Sequence, residues 1–309
     1  MALLFLSEAD PPDAWRKALM KEMPELDFRI WPDPDGAPSD IDVALVWKPP
    51  PGELSRYPNL KAILSLGAGI DALIEDKTLP NLPLARMVDP SLTRTMADYV
   101  LLATLHHHRE FDFFEREHRA GRWSFAFPKS TSERSVGILG LGMLGQVSAK
   151  LLRDQGFPVL GWSRSAKSID GVQSFHGDDQ LAAFVKKTEI LICLLPLTKD
   201  TRGILNAELF KALPKGAYLI NVGRGPHLVE QDLIDALDRE QLAGATLDVF
   251  ETEPLPKANP LWRHEKILIT PHIASYCVPE TAAKGVAENI KRAREGKPLH
   301  NQVDLNRGY

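Results

Sequence analysis

The sequence contains few cysteines, and the two it has lie far apart. Cys193 and Cys277 are the only cysteines among 309 residues. They cannot form the several disulfides of a small secreted domain or supply four cysteine ligands to a metal. The sequence therefore indicates a reducing compartment, and we expect the protein in the cytoplasm.

Long hydrophobic runs are also missing. Apolar runs such as residues 100–105 stop well short of the ~20 residues that a membrane span requires. The N-terminal apolar stretch turns acidic and proline-rich at residues 8–12 and lacks the basic start of a signal peptide. These features predict no membrane partner.

The chain has no large excess of charge of either sign. Its 37 Lys and Arg residues nearly balance 41 Asp and Glu residues, which leaves a net charge of −4. This balance gives no electrostatic reason to expect nucleic acid as a partner. At roughly 100–200 residues per domain, the length predicts two domains and the size of an enzyme.

Short apolar segments bounded by glycine and proline alternate with helical patterns along the chain. This alternation is typical of βα repeats and a mainly parallel sheet. The first series occupies the start of the chain, with strands predicted at residues 2–6, 43–47 and 62–66. The strands of a second series are predicted at residues 135–139, 159–162, 190–195, 217–222, 245–249 and 267–270.

Between the two series we predict one long helix, from about Thr93 to Gly121. Three consecutive histidines, residues 106–108, lie within it. Adjacent residues on a helix point ~100° apart and cannot share a metal ion as histidines four residues apart can. We expect these histidines on a solvated or subunit-facing surface and expect no metal site.

A glycine motif follows the predicted strand 135–139 directly and opens a helix. In this context the first glycine permits a tight turn, the second lets the backbone approach a pyrophosphate, and the third allows close packing of helix on strand. The unpaired N–H groups of the helix start then bind the phosphates. We expect a dinucleotide at this motif, which consists of Gly140, Gly142, Met143, Leu144 and Gly145.

The next predicted strand ends without the acidic residue that binds the ribose hydroxyls of NAD. The segment reads Ser163, Arg164, Ser165 instead. A guanidinium and two hydroxyls suit a 2′-phosphate, and no carboxylate is present there to repel it. The sequence therefore predicts NADPH in preference to NADH.

Three ionisable residues follow three later strands. Arg224, Glu253 and His272 come after strands 217–222, 245–249 and 267–270, whose carboxyl ends meet at one edge of a parallel sheet. A histidine beside a carboxylate suits proton transfer near neutral pH, and an arginine can bind and orient a 2-keto carboxylate. The arrangement predicts reduction of a carbonyl by a nicotinamide.

The motifs in this order resemble the D-isomer-specific 2-hydroxyacid dehydrogenase family over nearly the whole chain. Besides the glycine motif, the resemblance rests on residues 67–71, 195–198, 221–225, 247–254 and 270–272. Residues 65–71, 88–91 and 162–164 are most similar to the branch of the family that reduces glyoxylate and hydroxypyruvate. The resemblance thus implies NADPH-dependent formation of glycolate and D-glycerate.

The resemblance also implies roles for individual residues. His272 would be the general acid and base, Glu253 its partner and Arg224 the substrate-binding cation. Backbone N–H groups around Ala68, Gly69 and Ile70 would hold the substrate carboxylate. Apart from the resemblance, Trp47 lies near the end of a predicted first-domain strand, and we expect it to shape the pocket. The residues expected to line the ribose and nicotinamide are Leu195, Pro196, Thr198, Val222, Gly223 and Asp248.

The glycine motif lies in the middle of the chain, so we expect one domain to be inserted into another. The expected fold is α/β with two doubly wound domains. Residues 1–96 and 277–309 would form a flavodoxin-like substrate domain, and residues 97–276 an inserted Rossmann dinucleotide-binding domain. The resemblance implies a cleft site between them and a homodimer formed through the long helix and the loop after it.

Two other functions remain open from the sequence. One is a reductase of a different 2-ketoacid, such as phenylpyruvate or a branched-chain ketoacid. The other is a non-catalytic scaffold that senses NAD(H), although Arg224, Glu253 and His272 are all present.

Overall fold

The computed structural model describes residues 1–304, which form two compact units. One unit contains Met1–Leu92 together with residues 276–304, and the other is Thr93–Ser275. The predicted domain boundaries therefore differ from those of the structure by a few residues. Residues 93–96 belong to the second unit, and residue 276 belongs to the first. Residues 305–309 of the expected substrate domain lie outside the described residues.

The first unit is built on five parallel strands in the order β2-β1-β3-β4-β5. This is the flavodoxin-like order, so the fold predicted for this part of the chain is confirmed. The strands are β1 (Ala2–Leu6), β2 (Asp27–Ile30), β3 (Ile41–Val46), β4 (Ala62–Ser65) and β5 (Leu84–Ala85).

Both faces of this sheet are covered, as a parallel sheet requires. Every residue of β1 is buried, and successive side chains point to opposite faces. Leu3 and Phe5 pack in the cluster that contains Trp15, whereas Leu4 and Leu6 pack in another. The helices of this unit are α1 (Pro12–Glu22), α2 (Asp71–Ile74) and α9 (Pro279–Arg294).

The second unit is built on seven parallel strands in the order β12-β11-β10-β9-β6-β7-β8. Six of them follow the Rossmann order, with β12 added beside β11, so the predicted dinucleotide-binding fold is confirmed. The strands are β6 (Val136–Leu139), β7 (Val159–Ser163), β8 (Val172–His176), β9 (Ile190–Cys193), β10 (Ala217–Asn221), β11 (Leu242–Leu247) and β12 (Ile267–Ile269).

The predicted long helix is in fact two helices. α3 (Pro90–His108) begins in the first unit and is separated from α4 (Phe111–Arg119) by two residues. The second of these, Glu110, has a φ of 58°. A left-handed residue stops the helical hydrogen-bond pattern, so the prediction of one continuous helix was wrong. The remaining helices are α5 (Met143–Asp154), α6 (Asp178–Val185), α7 (Ala207–Ala212) and α8 (Glu230–Asp238).

Three strands, β2, β5 and β8, are not predicted from the sequence. β2 and β8 lie at the edges of their sheets and carry polar residues, and β5 has only two residues. A strand at a sheet edge does not need the continuous apolar run of a central parallel strand. Across residues 1–304, no helix combines the length and apolar character needed to cross a bilayer.

Candidate active site

The three ionisable residues follow neighbouring strands of the second sheet. Arg224 comes after β10, Glu253 after β11 and His272 after β12, and β10, β11 and β12 are adjacent. In a parallel sheet these carboxyl ends lie along one edge, where ligands of doubly wound folds bind. Strand order therefore brings together loops that are far apart in sequence.

His272 and Glu253 form a direct pair. His272 Nδ1 lies 2.7 Å from Glu253 Oε2, and the two side chains are 22% and 19% exposed. The other carboxylate oxygen, Oε1, accepts the backbone N–H of Phe250 at 2.9 Å. A carboxylate held in this way orients the imidazole and fixes the proton on Nδ1.

The backbone of His272 is held in an unusual conformation. Its φ is 56°, in the left-handed region that residues other than glycine seldom adopt. The His272 N–H donates to the Asp248 carbonyl at 2.8 Å, and the Asp248 carboxylate accepts the N–H groups of Ile273 and Ala274 at 2.8 and 2.9 Å. Asp248, which is predicted from the sequence to contact the cofactor, thus holds the loop that carries His272.

A hydroxyl chain extends this support into α3. The Thr270 hydroxyl donates to Asp248 Oδ1 at 2.6 Å, so the Tyr99 hydroxyl, 2.5 Å away, donates to Thr270. Burial raises the pKa of Tyr99 to about 12 and that of Asp248 above its ordinary value. No sequence signal connected Tyr99 with residues 171 positions away, because only the fold joins them.

The turn that carries Arg224 is closely packed. Asn221 accepts the Gly223 N–H and donates to the Arg224 carbonyl, at 3.2 and 3.1 Å. A Cβ on Gly225 would lie 1.8 Å from the Phe250 carbonyl carbon, so no larger residue fits at this position. The arginine turn therefore lies directly against the chain segment that leads to Glu253.

The glycines after β6 have distinct surroundings. Gly140 has a φ of 104°, and a Cβ there would lie 2.7 Å from the Leu194 carbonyl oxygen. A Cβ on Gly145 would lie 1.9 Å from the Gly140 carbonyl oxygen, whereas a Cβ on Gly142 would meet nothing within 4 Å. α5 begins at Met143, so the unpaired N–H groups of its first turn face an open approach. This geometry fits a bound pyrophosphate.

The other residues expected to contact the cofactor also follow strand ends. Ser163 ends β7, and Ser163 Oγ donates to the Ser165 carbonyl at 2.8 Å, while Arg164 is exposed. After β9, Thr201 Oγ1 donates to the Pro196 carbonyl and accepts the Thr198 N–H, both at 2.8 Å. Leu195 follows β9 in the same way, and Val222 and Gly223 follow β10.

The remaining predicted substrate residues belong to the first unit. Trp47 follows β3, and the segment Ala68, Gly69, Ile70 lies between β4 and α2. A Cβ on Gly67 would lie 2.1 Å from the Trp47 ring, so the indole packs directly on this segment.

The consecutive histidines are not on a solvated surface. His107 and His108 are 0% and 3% exposed. His106 Nε2 and His107 Nδ1 lie 2.7 and 2.8 Å from the two oxygens of Asp112, and His107 Nε2 lies 2.9 Å from Thr246 Oγ1. The expectation of a solvated or subunit-facing surface was therefore wrong for the last two. Although they are adjacent, His106 and His107 both reach Asp112, because one ring uses Nε2 and the other uses Nδ1.

His106, His107 and Asp112 also form the group among residues 1–304 whose ligand atoms are close enough to share a metal ion. Their separations of 2.7 and 2.8 Å are those of direct hydrogen bonds. We therefore interpret the cluster, His106, His107 and Asp112, as a buried polar contact that joins α3 to α4.

Comparison with known proteins gives a consistent family. The family model described as "D-isomer specific 2-hydroxyacid dehydrogenase, NAD binding domain" matches residues 101–274. Glyoxylate/hydroxypyruvate reductase A of Serratia proteamaculans is 43% identical over 315 aligned residues, covering 100% of both chains. The same enzyme of Klebsiella pneumoniae is 40% identical, again over 100% of both.

Two solved structures are similar over their whole length. A D-isomer specific 2-hydroxyacid dehydrogenase from Xanthobacter autotrophicus, in complex with NADPH and MES, has a TM-score of 0.92 and 47% identity. That match covers 100% of this chain and 99% of the other. An NADPH-dependent glyoxylate/hydroxypyruvate reductase from Sinorhizobium meliloti, with NADP and sulfate, has a TM-score of 0.91 and 37% identity over 100% of both chains.

Proposed function

Since this chain belongs to the D-isomer specific 2-hydroxyacid dehydrogenase family, we propose that it reduces glyoxylate to glycolate and hydroxypyruvate to D-glycerate with NADPH. The family match bears out the resemblance found in the sequence motifs. The full-length relatives named glyoxylate/hydroxypyruvate reductase A agree with the predicted activity, and the NADPH complexes agree with the predicted cofactor. Within the structure, the observation that carries the proposal is the 2.7 Å contact between His272 and Glu253.

His272 donates the proton that completes the reduction. Its Nδ1–H is directed at Glu253, which assigns proton transfer to Nε2. When bound, NADPH supplies the hydride to the carbonyl carbon. His272 then protonates the carbonyl oxygen, and the resulting imidazole stays oriented by the Glu253 carboxylate until it regains a proton from solvent.

Arg224 binds the substrate. A guanidinium offers paired donors to a carboxylate, and the packed turn at Gly225 supports a fixed direction for this side chain. In the first unit, the backbone N–H groups around Ala68, Gly69 and Ile70 offer a nest that suits a substrate carboxylate, and Trp47 shapes the pocket beside it.

The second unit binds the cofactor, in addition to carrying Arg224 and His272. Three features support the binding of NADPH. They are the N–H groups of Met143 and Leu144, the open approach at Gly142 and the absence of a carboxylate at residues 163–165. Both cysteines are free and buried, which supports a cytoplasmic location.

The protein forms a homodimer. Trp123, Phe125 and Phe127, in the loop after α4, are 91%, 72% and 91% exposed. Aromatic side chains grouped on a surface in this way usually mark a site of protein association. We expect the dimer to form through this loop and the two helices before it, α3 and α4.

The activity is tested by following NADPH oxidation at 340 nm with a panel of 2-ketoacids. We expect glyoxylate and hydroxypyruvate to give higher kcat/KM values than pyruvate, phenylpyruvate or 2-ketoisovalerate. A preference for phenylpyruvate or 2-ketoisovalerate would favour a different 2-ketoacid reductase. NADPH binding without turnover of any substrate would favour a non-catalytic scaffold.

A further inference from the structure

A second histidine lies directly behind the substrate arginine. His227 is the last residue of the short helical turn Gly225–His227, three positions after Arg224, and is 0% exposed. Its ring lies between two chain segments that the proposed function uses. His227 Nδ1 accepts the backbone N–H of Arg224 at 3.0 Å, and Nε2 lies 3.3 Å from the Pro196 carbonyl oxygen.

These two contacts fix the protonation state of the ring. The Arg224 N–H can only donate, so His227 Nδ1 must be unprotonated. The Pro196 carbonyl can only accept, so Nε2 must carry the proton. His227 is therefore neutral, in the Nε2–H tautomer, and an imidazolium would place two N–H groups against each other at Arg224.

The space around the ring leaves little freedom for the turn. A Cβ on Gly223 would lie 3.0 Å from His227 Nδ1 and 3.2 Å from the Leu195 carbonyl oxygen. The Pro196 carbonyl that receives Nε2–H also accepts the Thr201 hydroxyl at 2.8 Å. The ring thus connects the turn of Arg224 to the segment after β9 and fills the space beneath Gly223.

We propose that His227 is a positioning residue that sets the direction of Arg224 toward the substrate carboxylate and ties it to the Pro196 segment. This inference rests on the proposed function for the role of Arg224. His227 acts through the Arg224 backbone and takes no part in proton transfer. An apolar residue could fill the same space, but it could not make the two hydrogen bonds that the buried His227 ring makes.

Three substitutions separate the two contacts of the ring. His227→Leu removes both. His227→Asn keeps an oxygen acceptor close to the position of Nδ1, and His227→Gln keeps an amide donor close to the position of Nε2. His108→Leu is the matched control, because His108 is also buried in the second unit but packs against Phe157.

We expect His227→Leu and His227→Gln to raise the KM for glyoxylate and hydroxypyruvate by roughly tenfold or more, because each leaves the part-buried Arg224 N–H without its acceptor. His227→Asn should stay within about threefold of wild type, as one retained hydrogen bond is sufficient for the Arg224 turn. The Kd for NADPH should stay near the wild-type value in His227→Gln, which keeps the donor to the Pro196 carbonyl, so a raised KM in that variant reports on Arg224. Equal KM values for His227→Leu and wild type, or a rise of the same size in His108→Leu, would overturn the inference.

A cycle with Arg224 tests the path of the effect. In an Arg224→Ala background, His227→Leu should cause little additional loss of kcat/KM, because the side chain it positions is gone. Losses that multiply would instead show that His227 supports the fold in general and does not act through Arg224.

Two measurements do not depend on turnover. In ¹⁵N-histidine-labelled protein, His227 should show the neutral Nε2–H tautomer, and the Arg224 amide should exchange slowly in wild type and His227→Asn but faster in His227→Leu. An Nδ1–H tautomer, or the same exchange rate in all three, would contradict the inference. Should wild type reduce no 2-ketoacid, the proposed function would fail while these two measurements still decide the role of His227.

Discussion

The left-handed backbone of His272 shows how strongly neighbouring residues set the position of a side chain that is proposed to be catalytic. Asp248 receives three donors from the loop at its carboxylate and a fourth, the His272 N–H, at its carbonyl. Strained backbone of this kind persists only where surrounding contacts determine it. The position of the imidazole is therefore a property of Asp248 and Glu253 as much as of His272 itself.

Removal of the imidazole tests the proton donor. His272→Ala should lower kcat for hydroxypyruvate reduction by roughly 10²–10⁴-fold, the usual contribution of a general acid. NADPH binding, followed by fluorescence, should be nearly unchanged. His118→Ala, at an exposed position of α4, is the control and should keep full activity. An unchanged kcat in His272→Ala would contradict the proposed mechanism.

We expect the cofactor preference to depend on Ser163 and Arg164, two adjacent residues at the end of β7. Ser163→Asp combined with Arg164→Ala should lower kcat/KM for NADPH by roughly tenfold or more, since a hydrogen bond to a charged group contributes about 1.5–3 kcal/mol. The new carboxylate should also improve the use of NADH. The measurement is kcat/KM for both cofactors in wild type and variant, and a wild type that prefers NADH would refute the prediction.

At the scale of elements, the break between α3 and α4 is stabilised by a buried polar contact. The left-handed Glu110 turns the chain so that the Asp112 carboxylate meets both His106 and His107. A hydrogen bond to Asp112 raises the pKa of His106, and the two histidines hold the pKa of Asp112 well below its usual range despite its burial.

This contact predicts a dependence of stability on pH. Because the pKa of His106 is raised in the folded state, its pairing with Asp112 contributes fully below the ordinary histidine value of 6.5 and is lost as pH rises through the folded value. The melting temperature of wild type should therefore exceed that of His106→Gln most at about pH 6 and progressively less toward pH 9. A difference that stays constant or grows over this range would contradict the assignment.

Two helical glycines should respond in opposite ways to the same change. Gly145→Ala in α5 places a Cβ 1.9 Å from the Gly140 carbonyl oxygen. It should lower the free energy of unfolding by about 1–3 kcal/mol, the usual cost of overpacking, and weaken NADPH binding. Gly285→Ala in α9 meets nothing within 4 Å. This matched variant should stabilise the protein by about 0.5–1 kcal/mol. Denaturant unfolding of both variants measures the two effects, and a Gly145→Ala protein as stable as wild type would show that the helix does not need glycine there.

For the molecule as a whole, the chain order of the two units is informative. The second unit, Thr93–Ser275, interrupts the first, so the first completes its core only with α9. Ala283, Val286 and Ile290 of α9 pack in the same cluster as Leu3 and Phe5 of β1. The hydrophobic core of the first unit is therefore built from residues of both the β1 end and the α9 end of the chain.

The exposed aromatic loop predicts the assembly state. Trp123→Ser combined with Phe127→Ser should convert the proposed dimer to monomers, since aromatic anchors at an interface often contribute about 2 kcal/mol or more each. Sedimentation velocity measures the change, and near-UV circular dichroism checks that the fold is kept. Trp262→Ser, which removes a half-exposed tryptophan elsewhere in the second unit, is the control and should leave the assembly unchanged. A monomeric wild type would refute the proposed dimer.

The sequence by itself determined the fold class and the identity of the residues proposed for catalysis. The central strands could be found because buried parallel strands need continuous apolar runs. The glycine motif stood out because backbone geometry, not side-chain chemistry, restricts its positions. Arg224, Glu253 and His272 could be grouped because each follows a strand whose end lies at the same edge of the sheet.

Only the tertiary structure decided how these residues are held. Three sets of hydrogen bonds join residues whose spacing follows no local period. They link Tyr99, Thr270 and Asp248; His227 with Arg224 and Pro196; and His106 and His107 with Asp112. Hydrogen bonds of this kind depend on which loops the strand order places side by side and on the direction of each backbone. The broken helix and the edge strands were missed for the same reason, since contacts outside each segment, not its own pattern, fix where it begins and ends.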